Sequence, residues 1–115
     1  MERERNVESF TVTGSVKDRK TQKGLAGLKI EAWDKDLFLD DFLGSAVTDA
    51  SGAFRIVFTE AQFRDGFLET APDLFFKVYL GRRLIASTEK ALSWNMAKRY
   101  ANVTIEADLP PKSIS

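Results

Sequence analysis

Thr48-Asp-Ala-Ser-Gly-Ala-Phe54, continued by Arg-Ile-Val-Phe58, carries the clearest structural signal in the chain. Asp accepts hydrogen bonds from backbone N–H groups just downstream, and Gly takes a positive φ without steric cost. Asp49-Ala-Ser-Gly52 therefore reads as a tight turn. Phe54, Ile56 and Phe58 then alternate with Arg55, Val57 and Thr59, the period-two pattern of a strand with one buried face. Another strand precedes the turn at about Leu43–Thr48, so the run predicts a β-hairpin.

The same period recurs on either side. Phe10-Thr-Val12-Thr-Gly14-Ser-Val16 alternates, and Leu28, Ile30 and Ala32 alternate with Lys29, Glu31 and Trp33. Leu74-Phe-Phe-Lys-Val-Tyr79 is apolar on both faces, as a central strand would be. Leu84–Thr88 reads as a short strand, and Tyr100–Ile105 as a last one with Ala101, Val103 and Ile105 inward. Thr59-Glu-Ala-Gln-Phe63 opens on a good N-cap residue, which predicts one short helix near 60–66. Lys90–Arg99 fits either a loop or a short helix. About seven short strands with little helix predict an all-β fold, a single antiparallel β-sandwich. Residues 1–8 read as a flexible charged leader, 9–108 as the sandwich domain, and 109–115, with Pro110-Pro111, as a flexible tail.

The 115 residues include 17 basic and 17 acidic ones, no histidine and no cysteine. Without His or Cys there is no Ser-His-Asp triad, Cys-His dyad, disulfide or Cys/His zinc site. Zero formal charge argues against a general nucleic-acid binder. No apolar run approaches the ~20 residues of a transmembrane helix. Met1-Glu-Arg-Glu-Arg-Asn6 lacks the form of a secretory signal, which implies a cytoplasmic protein unless it is exported by another route or belongs to a longer chain.

Three segments together resemble the transthyretin-like (prealbumin-like) sandwich, which also occurs as the regulatory domain of carboxypeptidases. They are Val12-Thr-Gly14-Ser-Val16, Gly24-Leu-Ala-Gly27-Leu-Lys-Ile30 and Thr48-Asp-Ala-Ser-Gly-Ala-Phe54. The resemblance covers about residues 10–80. It implies an accessory, adhesive or assembly module rather than a defined chemistry. The hydroxyisourate hydrolase of this fold uses histidines and a C-terminal Tyr-Arg-Gly-Ser. This chain has no His and ends in Lys112-Ser-Ile-Ser115, so those catalytic residues do not carry over. Intradiol dioxygenases, a related sandwich class, need two His on iron, which the same absence excludes.

The densest chemical feature is Trp33-Asp34-Lys-Asp36-Leu-Phe-Leu-Asp40-Asp41-Phe-Leu-Gly44. Carboxylates spaced this way in a loop can converge on a hard cation such as Ca²⁺. The stretch also resembles a calcium loop of the synaptotagmin-type phospholipid-binding module. That resemblance implies Asp34, Asp36 and Asp41 as metal ligands and Phe38 as a lipid contact. Alternatively, these Asp residues cap backbone N–H groups in a solvated turn. By parity Trp33 lies on the outer face, where it either marks a binding surface or is covered by another segment. Trp33, Phe38 and Phe42 are therefore the candidate partner-binding residues. Lys17, Arg19, Lys20 and Lys23 form a basic loop, and Lys29 and Asn102 both point outward, away from the inward geometry an isopeptide cross-link would need.

The expected function is a non-catalytic binding or assembly module with a protein partner, or with itself through an exposed edge strand. The alternative is a Ca²⁺-dependent membrane- or glycan-binding module using the Asp34–Asp41 loop.

Overall fold

Two β-sheets face one another across an apolar core. The computed structural model describes residues 9–35, 39–59, 72–90, 94–95 and 99–111. Its strands are β1 (Ser9–Asp18), β2 (Lys29–Asp34), β3 (Asp41–Val47), β4 (Ala53–Thr59), β5 (Asp73–Leu80), β6 (Arg83–Ser87), β7 (Trp94–Asn95) and β8 (Tyr100–Ala107). The first sheet has the order β4-β1-β8, and the second β3-β2-β5-β6, with the short β7 also paired to β5. The fold is thus all-β, and the described residues contain no helix. The helix expected near 60–66 lies outside them.

One pairing departs from the antiparallel expectation. β1 and β8 run parallel, from Thr11 opposite Tyr100 to Asp18 opposite Ala107, while all other strand pairs are antiparallel. Parallel neighbours need a long crossover. Here the whole intervening chain supplies it, so no local pattern near either strand announces the pairing.

Inward residues fill the space between the sheets. Val12, Val16, Ile56, Phe58 and Ile105 of the first sheet meet Ile30, Ala32, Phe76 and Val78 of the second, all buried. Phe10 and Phe58 stack within the first sheet at 5.3 Å, and Phe54 reaches Phe76 across the core at 6.3 Å. Burial of each Phe contributes about 1.5–3 kcal/mol. Gly14 also faces inward, where a side chain would collide with Val103 and with Cζ of Phe54, 2.9 Å from an added Cβ.

The expected hairpin at Thr48–Phe54 is not one. The turn is present, but β3 pairs with β2 and β4 with β1, so the turn carries the chain from one sheet to the other. Asp49 Oδ1 accepts from the N–H groups of Ser51 and Ala53 and from the Ser51 hydroxyl, at 2.8–2.9 Å. These hydrogen bonds, that from Ala53 foremost, hold the Asp49 carboxyl below the usual carboxylate range. Two further contacts anchor the corner. The Val16 N–H donates to the Gly52 carbonyl at 2.9 Å, and the buried Thr48 hydroxyl accepts from Leu28 N–H and donates to the Leu25 carbonyl. Gly52 sits at φ 89° with Val16 O and Leu25 N each 2.7 Å from an added Cβ, so both the dihedral and the space require glycine.

Candidate functional site

β2 ends in Trp33 and Asp34, whose side chains point to opposite faces of the second sheet. Trp33 turns outward. Its indole stacks on Phe75 at 6.3 Å and 16°, and meets Phe42 edge-on at 5.3 Å and 69°. The indole Nε1–H donates to Glu31 Oε1 at 3.1 Å, and Lys77 Nζ lies 4.6 Å from the Trp33 ring. Such aromatic and cation–π contacts each contribute about 0.5–1.5 kcal/mol beyond burial. They fix the ring on the sheet. Phe75 is buried beneath this cluster, while Phe42 remains 46% exposed at its rim.

A β-bulge explains why Phe42 joins Trp33. The register between β2 and β3 shifts between Ala32 and Trp33, with Ala32 opposite Gly44 and Trp33 opposite Phe42. Leu43 is the extra residue. It stays buried in the core while Phe42 turns outward. Gly44 lies next to the bulge and brings the backbone close to Ile56, whose Cγ2 is 2.9 Å from an added Cβ.

Asp34 turns inward and is fully buried. Its Oδ1 accepts from the Asp73 N–H at 2.8 Å, and the Lys35 N–H donates to the Asp73 carbonyl at 2.9 Å. Asp34 therefore ties the end of β2 to the start of β5. Asp41 is half-buried and opposite Asp34 in register. Asp36 and Phe38 lie outside the described residues. Among the described residues, no group of three or more His, Cys, Asp or Glu side chains is placed to hold a metal ion. Leu39, at the end of the loop, is 77% exposed.

The charged loops are answered locally. Arg19 makes a two-point pair with Asp108, at 3.1 and 2.8 Å, and Gln22 donates to Glu106 at 3.0 Å. The Arg19 hydrogen bond holds the Asp108 carboxyl below its ordinary range. Lys35 bonds Glu89 at 2.8 Å, which raises its own pKa. Lys29 and Asn102 are both exposed, on the outer faces of different sheets, so no isopeptide geometry exists between them.

Sequence reading located Trp33 and Phe42 but missed two partners. Lys77 and Phe75 stand on β5, about 40 residues away, and are brought opposite β2 only by strand pairing, Trp33 with Phe75 and Glu31 with Lys77.

No family model matches the chain, and no curated protein does either. Solved structures do show the fold. A 9R-lipoxygenase from Cyanothece is similar at TM-score 0.58 and 18% identity, covering 90% of this chain and 18% of its own. The chlorocatechol 1,2-dioxygenase of Pseudomonas putida is similar at TM-score 0.55 and 13% identity, covering 90% of this chain and 61% of its own. An alternative pilotin from the type II secretion system of Vibrio cholerae is similar at TM-score 0.53 and 11% identity, covering 89% of this chain and 99% of its own. The chain thus spans under a fifth of the lipoxygenase and about three-fifths of the dioxygenase. At these identities the likeness defines a class by fold alone: a β-sandwich module.

Proposed function

We propose that the chain is a non-catalytic binding or assembly module of the transthyretin-like kind, acting through protein–protein contacts at the β3 edge and the Trp33–Phe42 cluster. The observation that carries this reading is the character of β3. Among the described residues it is the outermost strand of the second sheet, and its sequence, Asp41-Phe-Leu-Gly-Ser-Ala-Val47, has one charge, at its first residue. Phe42 and Val47 are 46% and 63% exposed. Natural edges are ordinarily protected by lysine, proline or covering segments. An edge with a single charge, beside a fixed aromatic cluster, suits a partner that adds a strand and seats a side chain against Phe42. The absence of His and Cys from the sequence supports the non-catalytic reading, because the dioxygenase and hydrolase chemistries of related sandwiches rely on imidazoles.

The test combines quantitative affinity capture with sedimentation equilibrium. Phe42→Lys and Val47→Lys are expected to abolish specific partner recovery and any self-association, while circular dichroism stays native. Trp33→Ala is expected to weaken both. Recovery and sedimentation unchanged in all three variants would refute the surface.

A further inference from the structure

The outer face of the first sheet, on the opposite side of the molecule from Trp33, differs in chemistry from the rest of the surface. Its residues lie in rows set by the register. One row is Val57–Thr11–Tyr100 and the next is Arg55–Thr13–Asn102. Ala53, Ser15 and Thr104 form a third. Arg55 is the only charge in these three rows, although charged residues make up 30% of the chain. The second sheet, by contrast, places Lys29, Glu31 and Lys77 on its outer face.

Tyr100 is 61% exposed, yet its orientation is fixed. Its phenol oxygen lies 3.2 Å from Thr13 Oγ1, and Thr13 is opposite Asn102, two residues further along β8. The ring must therefore run along the sheet rather than away from it, leaving one ring face open to solvent. Asn102 Nδ2 donates to the same Thr13 oxygen at 2.7 Å. That contact uses one amide N–H. The second N–H and Oδ1 remain available to a ligand. The Arg55 side chain, across β1 from Asn102, makes no ion pair or hydrogen bond among the described residues, and Val57 is 47% exposed beside it.

We propose that this face, centred on Tyr100 and Asn102, binds a neutral, extended glycan chain. The C–H face of a pyranose ring suits the electron-rich open face of Tyr100. Sugar hydroxyls, each both donor and acceptor, pair with the remaining N–H and Oδ1 of Asn102, and Arg55 supplies further donors. The face spans three strands spaced about 4.8 Å apart, wide enough for a sugar ribbon lying across them. Its near-neutrality favours an uncharged polymer over nucleic acid or an anionic membrane. The Thr13 relay holds the ring and amide in place before binding, which lowers the ordering cost.

The experiment titrates the intact chain with cellohexaose, xylohexaose, mannohexaose and laminarihexaose, each to about 10 mM, the range where a shallow site of a few contacts is read. Calorimetry and amide NMR shifts report binding, with a heparin-derived hexasaccharide as the charged control. Saturable binding of at least one neutral hexasaccharide is expected, with shifts clustered at Thr13, Tyr100 and Asn102. Tyr100→Ala should weaken it at least about tenfold, Tyr100→Phe less because stacking survives, and Asn102→Ala about three- to tenfold. Phe42→Lys, on the other sheet, should leave it unchanged, which separates this site from the protein-contact surface. Binding of no neutral hexasaccharide, preference for the heparin fragment, or affinity indifferent to Tyr100→Ala overturns the proposal. A loss of self-association in Tyr100→Ala without glycan binding also overturns it and assigns the face to a second copy.

Discussion

Thr48→Val probes the corner between the sheets with little change of shape. The hydroxyl of Thr48 accepts from Leu28 N–H at 2.9 Å and donates to the Leu25 carbonyl at 2.6 Å. Valine removes both bonds and strands the N–H of buried Leu28. A net hydrogen bond contributes about 1 kcal/mol, and a buried donor left unpaired costs about 1–3 kcal/mol. The half-buried Leu25 carbonyl recovers part of its loss from water. The expected destabilisation is about 2–4 kcal/mol, a large part of the ~5–15 kcal/mol typical of a domain. At about 4 °C per kcal/mol the melting temperature should fall by roughly 8–16 °C. Thr48→Ser keeps the hydroxyl and removes one methyl, at a cost of about 1 kcal/mol. Urea denaturation followed by tryptophan fluorescence should rank wild type above Ser above Val, with unchanged m-values. A Val variant as stable as wild type, or more stable than Ser, would refute the account of the corner.

Gly14→Val should cost about 2–4 kcal/mol by denaturant melts, because its side chain would force Phe54 and Val103 apart. Asp49 has a lowered pKa in the folded state, so its contribution is full above the unfolded value of about 3.9 and is lost as pH falls through the folded one. Melting curves of wild type and Asp49→Asn should therefore converge as pH drops from about 5 to about 2, whereas a constant gap contradicts the carboxylate's role in the turn. Partner capture should be insensitive to EDTA. Loss with EDTA and recovery with Ca²⁺ would instead assign the contact to a cation site at Asp34, Asp36 and Asp41.

The aromatic cluster illustrates how far local pattern reaches. Parity alone put Trp33 on the outer face, since it alternates with Ile30 and Ala32 by way of Glu31. Nothing local told which rings it would meet. Phe75 arrives through β2–β5 pairing, and Phe42 through a bulge that Gly44 accompanies but does not by itself predict. Asp34 shows the opposite case. A carboxylate in an acidic stretch suggests a cation ligand, yet its buried oxygen holds the Asp73 N–H. The sequence distance of 39 residues hid that partner.

By itself the sequence determined seven of the strands, their buried faces and the turn at Asp49–Gly52, because alternation and turn chemistry are local properties of the chain; the two-residue β7, within a stretch read as loop or short helix, is too short to show a period. It also excluded imidazole and thiol chemistry outright. Tertiary structure decided which strands are neighbours. It converted an apparent hairpin into a corner between sheets, laid β8 parallel to β1, and placed β3 outermost among the described strands of the second sheet. Those outcomes depend on contacts between residues far apart in the chain, where the same alternating pattern is satisfied by several pairings and only the packing of both sheets on one core selects among them.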